Sequence, residues 1–181
     1  DLLSKKNLFS KYNLNLEKKT ILFIQHPVTT EYHEVNKQIS KSIKALKNFK
    51  NSQVLCVLSN FDAGNKRIIS ALEKQRNYKT FANLKNRDFL SFLRHSDVLV
   101  GNSSSAIREA PSFKLPAVNI GTRQNNRLKA KNVIDVPNDT AKIIKAVNKA
   151  LYDKVFIKSL RKIKNPYGDG NSAKKIVKIL K

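Results

Sequence analysis

Three consecutive serines, residues 103–105, follow a short apolar segment, residues 97–101, that ends in glycine, with Asn102 between them. A helix is predicted to begin after these serines. Hydroxyl side chains at a helix start act as N-caps, and the unpaired N–H groups of the first turn bind anions. Glu109 and Arg123 lie in the same stretch, and a planar guanidinium suits phosphate. The stretch therefore predicts a site for a phosphorylated ligand that carries hydroxyl groups.

A histidine follows the first predicted strand. Residues 20–24 form an uninterrupted apolar run, and Gln25, His26 and Pro27 come next. Proline disfavours helix at the residue before it, so the imidazole is expected in a turn at the carboxyl end of this strand. The residues alone leave two roles open for His26, ligand binding and structure. Glu109 is likewise either a ligand contact or a first-turn acid favoured by the helix dipole.

Several common cofactor and catalytic motifs are absent from the sequence. It contains no GxGxxG segment after the first strand and no GxxxxGKS/T segment, which disfavours a nicotinamide dinucleotide site and a P-loop. The histidines, His26, His33 and His95, show no metal-ligand spacing. The serines are not part of a GxSxG nucleophile motif, so they are interpreted as hydrogen-bond donors and caps. We therefore predict neither a metal nor a cofactor.

Apolar strand patterns alternate with helical ones along the whole chain. Strands are predicted at 20–24, 53–58, 78–82, 97–101, 116–120 and 132–136, and helices at 2–16, 34–48, 66–75, 87–95, after 105, 138–151, 153–164 and 172–181. This alternation is typical of an α/β fold with a doubly wound, Rossmann-like parallel sheet, here in one domain. Polar loops follow five of the strands, and right-handed crossovers would bring them to one rim of the sheet. These loops contain His26, Asn60, Asn83, Ser103 and Arg123.

The composition is strongly basic, since 36 lysines and arginines against 13 acids give a formal net charge of +23. The lysines are spread over nearly every segment, and the aromatic residues lie in apolar runs and not among the basic residues, where base stacking would need them. We therefore do not expect nucleic acid as the main partner. Cys56, the single cysteine, is predicted to be a small buried hydrophobe. With no apolar run near about 18 residues and no signal-peptide core, we expect a cytoplasmic protein without a membrane partner.

Five segments of the chain together resemble one enzyme family. They are QHPVTT (25–30), SNFDAGN (59–65), GNSSSAIREAPSFKLPAVNIGTRQ (101–124), KNVIDV (131–136) and NPYGDGNSAKKI (165–176). In order and spacing these segments resemble the UDP-N-acetylglucosamine 2-epimerase family, and most closely its hydrolysing, sialic-acid-pathway branch. The resemblance covers nearly the whole chain.

The resemblance implies one lobe of a two-lobed, GT-B-type fold, with residues 1–181 as the carboxyl-terminal, UDP-binding lobe. The amino-terminal lobe of such enzymes supplies carboxylates for proton transfer at the sugar. The implied reaction converts UDP-N-acetylglucosamine and water into N-acetylmannosamine and UDP, by elimination of UDP and hydration with inversion at C2. The complete protein is expected to bind a UDP-sugar and to form a homo-oligomer, whereas this chain alone is expected to have little or no turnover.

The resemblance also assigns residues to the diphosphate. Ser103 and Ser104 would donate hydrogen bonds to it at the helix start. Arg123 and His26 would add charge and hydrogen bonds to the same phosphates, and His26 is the one residue of this lobe assigned a catalytic role.

The nucleoside is assigned to three further residues. Glu109 would accept hydrogen bonds from both ribose hydroxyls, because the two oxygens of a carboxylate fit a vicinal diol. Backbone groups near Leu84 would contact the uracil edge, and Asn60 would line the base and the ribose.

Three other functions remain open at this point. A GT-B-type glycosyltransferase lobe could use the same pocket to transfer a sugar, and an epimerase could act on a modified diacetamido UDP-sugar. A basic module that binds nucleic acid or an anionic membrane is a third class, and it would bind polyanions with a steep salt dependence and without regard to UDP.

Overall fold

Six parallel strands form one sheet in the computed structural model, which describes residues 1–58 and 62–180. The strands are β1 (Lys19–Ile24), β2 (Ser52–Val57), β3 (Tyr78–Phe81), β4 (Val98–Gly101), β5 (Ala117–Ile120) and β6 (Val133–Val136). Their order across the sheet is β3-β2-β1-β4-β5-β6, and every neighbouring pair is parallel. Both β4 and β5 are buried at every residue, which fits the continuous apolar sequence of β4 and the apolar residues of β5 around Asn119. The predicted parallel α/β sheet is confirmed.

Helices cover both faces of this sheet. Among the described residues they are α1 (Lys5–Lys11), α2 (Val35–Leu46), α3 (Asn65–Glu73), α4 (Asn86–His95), α5 (Ser105–Arg108), α6 (Thr140–Tyr152), α7 (Lys154–Ser159) and α8 (Ser172–Leu180). The buried side chains of α2, α3 and α6 pack in one hydrophobic cluster, and those of α1 and α4 pack in another. Successive residues of β1 alternate between the clusters, with Phe23 in the first and Leu22 in the second. The sheet is therefore doubly wound.

Two helices are much shorter than the sequence predicts. The helix expected at 2–16 is only α1, which begins after the N-cap Ser4 and ends before Tyr12. Asn13 then adopts a left-handed conformation with φ of 51°, which a helix cannot continue through. The helix expected after residue 105 is the four-residue α5, followed by a 3-10 helix at Ala110–Phe113. Pro111 explains this change, since it has no N–H to donate to the Ile107 carbonyl oxygen and so cannot continue the α-helix.

The other boundaries differ by smaller amounts. The helix predicted at 153–164 divides into α7 and a 3-10 turn at Leu160–Lys162. The helix predicted at 138–151 begins at Thr140, because the Asp139 side chain accepts a hydrogen bond from the Lys142 N–H at 2.9 Å and acts as the N-cap.

Cys56 is fully buried in the first cluster, as predicted, and its burial raises the pKa of its thiol to about 12. Within the described ranges, no helix combines the length and the apolar character needed to cross a bilayer.

Candidate functional site

The candidate site lies at the carboxyl ends of β1 and β4, which are neighbours in the middle of the sheet. From β1 the chain continues outward to β2 and β3 on one side, and β4, β5 and β6 then fill the other side. The gap between β1 and β4 is thus the switch point at which loops leave in opposite directions. Ligands of open α/β sheets bind at such a point.

Gly101 brings the two strand ends unusually close together. Its φ is +132°, and a Cβ atom at this position would lie 1.9 Å from the carbonyl oxygen of Ile24. Any larger residue would therefore separate β1 from β4. The next residue, Asn102, donates its backbone N–H to the same Ile24 oxygen at 3.0 Å.

The side chain of Asn102 holds the backbone of His26 on both sides. Its Oδ1 accepts the His26 N–H at 2.7 Å, and its Nδ2 donates to the His26 carbonyl oxygen at 2.8 Å. Both residues are buried, so water does not compete for these bonds. The loop after β1 is thereby fixed to the loop after β4.

The loop after β5 is attached to the same residue. Gln124, which is fully buried, donates from Nε2 to the Asn102 carbonyl oxygen at 2.7 Å. Arg123 donates from Nη1 to that oxygen at 3.3 Å. Asn102 therefore joins three loops, and we refer to Asn102, Gln124 and the His26 backbone as the Asn102 bracket.

The imidazole of His26 is 7 % exposed, and its Nδ1 has no hydrogen-bond partner among the described residues. Burial, together with the charge of Arg123, lowers its pKa to about 4, against a smaller opposing effect from Asp62. His26 is therefore neutral at pH 7 in this structure. The expectation that it adds positive charge to a bound diphosphate stays a prediction, and in this structure the imidazole offers a hydrogen bond.

A cavity of about 550 Å³ opens beside these residues. It is lined by Pro27, Val28, Thr29, Thr30, Glu31, Asp62, Thr122 and Arg123. Arg123 Nη2 lies 3.9 Å from Asp62 Oδ2, and both side chains are partly exposed, so this is a weak ion pair. Glu31 accepts hydrogen bonds from Gln38 and Thr122. The guanidinium of Arg123 is thus held at the mouth of a polar cavity and is not neutralised by a close carboxylate.

The serine run lies at the start of α5, as predicted, but its hydroxyls bond mainly to one another. Ser103 Oγ donates to Ser105 Oγ at 3.2 Å and accepts the Ser105 N–H at 3.3 Å. Ser104 is the N-cap residue of α5 and makes no side-chain capping bond.

Glu109 lies at the other end of α5, where it is the C-cap. The interpretation of Glu109 as a first-turn acid is therefore wrong, because the helix ends before it. Its Oε2 is buried and has no hydrogen-bond partner among the described residues. A buried carboxylate oxygen without a donor is unfavourable, which makes Glu109 a candidate acceptor for ligand hydroxyls.

One predicted site residue, Leu84, is less well connected to this centre. Leu84 follows β3, two strands away from β1, and its side chain packs against the second hydrophobic cluster. Asn60 lies outside the described residues. Within the described ranges, no group of three or more His, Cys, Asp and Glu side chains could hold a metal ion.

The sequence did not identify the residues that organise the site. Asn102 and Gln124 are ordinary amides next to more conspicuous serines and arginine, and their partners lie 76 and 22 residues away in sequence. Asp62 was not assigned either. The one local signal for Asn102 was its position directly after a glycine that ends a buried strand.

A comparison of the sequence with protein families bears directly on this site. The sequence model of the UDP-N-acetylglucosamine 2-epimerase family matches residues 2–181, which is nearly the whole chain. The chain belongs to this family. The resemblance that the five sequence segments indicated is therefore confirmed.

Two relatives of the epimerase-family chain have described functions. It is 33 % identical to the polysialic acid biosynthesis protein P7 of Escherichia coli, over 98 % of the chain and 46 % of the relative. It is 34 % identical to a hydrolysing UDP-N,N'-diacetylbacillosamine 2-epimerase of Legionella pneumophila, over 94 % of the chain and 45 % of the relative. The chain thus spans about half the length of these relatives.

The fold of this family member is also found in solved structures. The crystal structure of the Neisseria meningitidis UDP-GlcNAc 2-epimerase bound to UDP-GlcNAc matches with a TM-score of 0.80 and 21 % identity, over 97 % of this chain and 48 % of that one. At this level of identity the match supports the fold alone.

Proposed function

We propose that residues 1–181 form the carboxyl-terminal, UDP-binding lobe of a hydrolysing UDP-N-acetylglucosamine 2-epimerase with a two-lobed, GT-B-type fold. Two findings support the proposal. The family match extends over the whole lobe, and the relatives are about twice as long as the chain. The remaining half of such an enzyme would be the lobe that faces this rim of the sheet.

The observation that carries the proposal is the set of unused polar groups around the switch point. His26 Nδ1 and Glu109 Oε2 are both buried and lack partners among the described residues. Arg123, whose charge acts on the His26 imidazole, is held by the Asn102 carbonyl oxygen. His26 and the cationic Arg123 suit the diphosphate of a nucleoside diphosphate, and the acceptor oxygen of Glu109 suits its ribose hydroxyls.

The proposed orientation of UDP follows from these groups. The diphosphate lies between Arg123, His26 and the serines Ser103 and Ser104, and the ribose hydroxyls donate to Glu109. The uracil then extends along the rim towards the loops of Asn60 and Leu84.

The chemical contribution of this lobe is stabilisation of the leaving group. In the proposed reaction the C2 proton and the UDP group are lost from the sugar, which gives a glycal-type intermediate and UDP. Water then adds its hydroxyl at C1, and a proton returns to the opposite face of C2, which yields N-acetylmannosamine. Arg123 and backbone N–H groups, fixed where negative charge develops on the departing diphosphate, lower the barrier to the first step.

Calorimetry with UDP tests the binding site. At pH 7.5 and moderate salt, we expect Arg123→Ala and Glu109→Ala each to weaken binding by about 1.5–3 kcal/mol, which is roughly ten- to a hundredfold. Arg161→Ala and Glu17→Ala, which change the same residue types at exposed positions away from the rim, are the matched controls. Unchanged affinity in both folded rim variants would refute the assignment.

Product analysis on the complete enzyme separates the alternatives. Free N-acetylmannosamine from UDP-N-acetylglucosamine supports the epimerase, whereas UDP release that requires an acceptor supports a glycosyltransferase. The Legionella relative carries the name of a diacetylbacillosamine epimerase. A UDP-linked diacetamido sugar is therefore the second substrate to test. Self-association and a cytoplasmic location of the complete protein remain part of this proposal.

A further inference from the structure

A large cavity lies at the amino ends of the strands, opposite the proposed UDP site. Its volume is about 800 Å³, which lies within the range of roughly 300–1,000 Å³ that is usual for small-molecule sites. The first residues of β2 and β3 border it, together with the segments that follow α2 and α3. Because all strands point the same way, this cavity and the loops of His26 and Arg123 are at opposite ends of the strands.

The opening of this cavity is cationic. Its described lining includes five cations and no acid, and the cations are Lys18, Lys47, Lys50, Lys74 and Arg76. None of them forms a salt bridge with a described residue. Over the whole chain 36 of 181 residues are Lys or Arg, whereas here they are five of thirteen lining residues. The cations are thus concentrated at this cavity beyond the general basic composition.

The carboxyl ends of two helices carry partial negative charge at this cavity and would repel an anion, but this effect is small. α2 and α3 both end at the cavity, and a helix carboxyl end carries a partial charge of about −0.5. This partial charge explains why lysines at positions 47 and 74 are favourable. It does not account for Lys18, Lys50 and Arg76, and five full positive charges exceed it several-fold.

Below the cationic opening the cavity has an apolar floor, which contains Leu46, Phe49 and Val54. Two hydroxyl residues, Ser52 and Tyr78, complete this part of the lining, and each hydroxyl is buried without a hydrogen-bond partner among the described residues. Burial raises the pKa of Tyr78, so its hydroxyl stays protonated and can act as a donor. A ligand oxygen that reached either hydroxyl would supply the missing partner.

We propose that this cavity binds a small organic phosphate, with its phosphate groups at the cationic opening and its ring on the apolar floor. The site is separate from the UDP site and does not depend on the proposed epimerase function. A nucleotide and a sugar phosphate both combine phosphate with a ring. They differ in the size of that ring, so the ring that fits the apolar floor better identifies the ligand.

Chemical-shift titration of the ¹⁵N-labelled chain tests the proposal, because it reports the two ends of the sheet separately. The probes are ADP, glucose 6-phosphate and inorganic pyrophosphate, in a buffer of about 0.15 M ionic strength that screens distant charges. We expect saturable shifts at residues 46–54 and 74–78. Tighter binding of ADP or of glucose 6-phosphate identifies the class of ligand. If pyrophosphate binds as tightly as the tighter organic probe, the apolar floor has no role in binding. If the shifts are weak and scattered over the surface, the cavity is not a binding site.

Paired charge variants test the cations themselves. We expect Lys50→Gln/Lys74→Gln to weaken binding of the tighter probe about tenfold, since two charge-assisted contacts are removed. Lys145→Gln/Lys158→Gln removes the same charge from exposed positions outside the cavity and should change affinity less than about twofold. Equal losses in the two variants would mean that the net charge alone attracts the ligand. The shift titration of the unmodified chain decides the matter if either variant fails to fold.

Discussion

The imidazole of His26 is buried in its neutral form, which couples the stability of the chain to pH. Its pKa is about 4 in the folded chain and near the ordinary value of about 6.5 when unfolded. Between these two values the unfolded chain binds a proton that the folded chain does not. The free energy of unfolding therefore falls as pH falls from about 6.5 to 4, by up to about 3 kcal/mol, with no further loss from this group below pH 4.

Urea denaturation at several pH values checks this prediction. We expect His26→Gln, which cannot titrate, to lose less stability than the unmodified chain between pH 7 and 4.5. His33→Gln is the control, because His33 is exposed. Asp88, whose pKa is lowered by hydrogen bonds from Lys11 and Tyr12, also contributes to acid sensitivity, but it does so below this range. Parallel pH curves for His26→Gln and the unmodified chain would contradict the assignment.

At the level of secondary-structure elements, the Asn102 bracket connects the ends of β1, β4 and β5. Asn102→Ala leaves the His26 N–H and carbonyl oxygen buried without partners, so we expect a loss of about 2–5 kcal/mol in the free energy of unfolding. Asn102→Asp keeps an acceptor for the N–H but places a carboxylate oxygen against the His26 carbonyl, so it should not restore stability. UDP affinity should fall in both variants, because the His26 backbone loses the side-chain support that positions it at the rim, whereas the bond of Arg123 to the backbone carbonyl oxygen of residue 102 remains.

The matched control for the bracket is Asn48→Ala. Asn48 also donates from its side chain to backbone carbonyls, those of Lys44 and Ala45, but its position is exposed. Water replaces the lost bonds there, and the expected cost is below about 1 kcal/mol. If the two alanine variants lose the same stability, the bracket is not the special connection inferred from the structure.

The elements also show what could be predicted from sequence. The strands were located to within a residue or two, because continuous apolar runs such as that of β4 mark a sheet covered on both faces. The length of α1 was overestimated, because the left-handed Asn13 has no distinctive local pattern. The alternation of strands and helices predicted that the polar loops, including that of Arg123, lie on one rim of the sheet. The Asn102 bracket could not be predicted, because its hydrogen bonds join residues far apart in sequence that only the folded chain brings together.

For the whole molecule, the excess of positive charge opposes compaction. Thirteen acids cannot neutralise 36 lysines and arginines, so like charges repel more strongly in the folded chain than in the expanded one. Salt screens this repulsion over the Debye length, which shortens from about 10 Å at 0.1 M to about 3 Å at 1 M. We expect the free energy of unfolding in urea to rise by about 1 kcal/mol between 0.05 and 0.5 M NaCl, equally in KCl. A decrease with salt would show that attractive ion pairs dominate.

The proposed division of labour between two lobes predicts that this chain binds UDP but does not turn over UDP-N-acetylglucosamine at the rate of the proposed complete enzyme. Proton transfer at C2 needs a base. Of the two acids that line the cavity, Glu31 already accepts hydrogen bonds from Gln38 and Thr122, and Asp62 forms a weak ion pair with Arg123. A positioned base accelerates such a step by about 10²–10⁴-fold, so product formation should fall by roughly that factor or more. Deuterium incorporation at C2 in D₂O, followed together with UDP release and calorimetric UDP binding, separates the two properties. Deuterated N-acetylmannosamine formed by the 181-residue chain at the rate of the complete enzyme would place the base within this lobe.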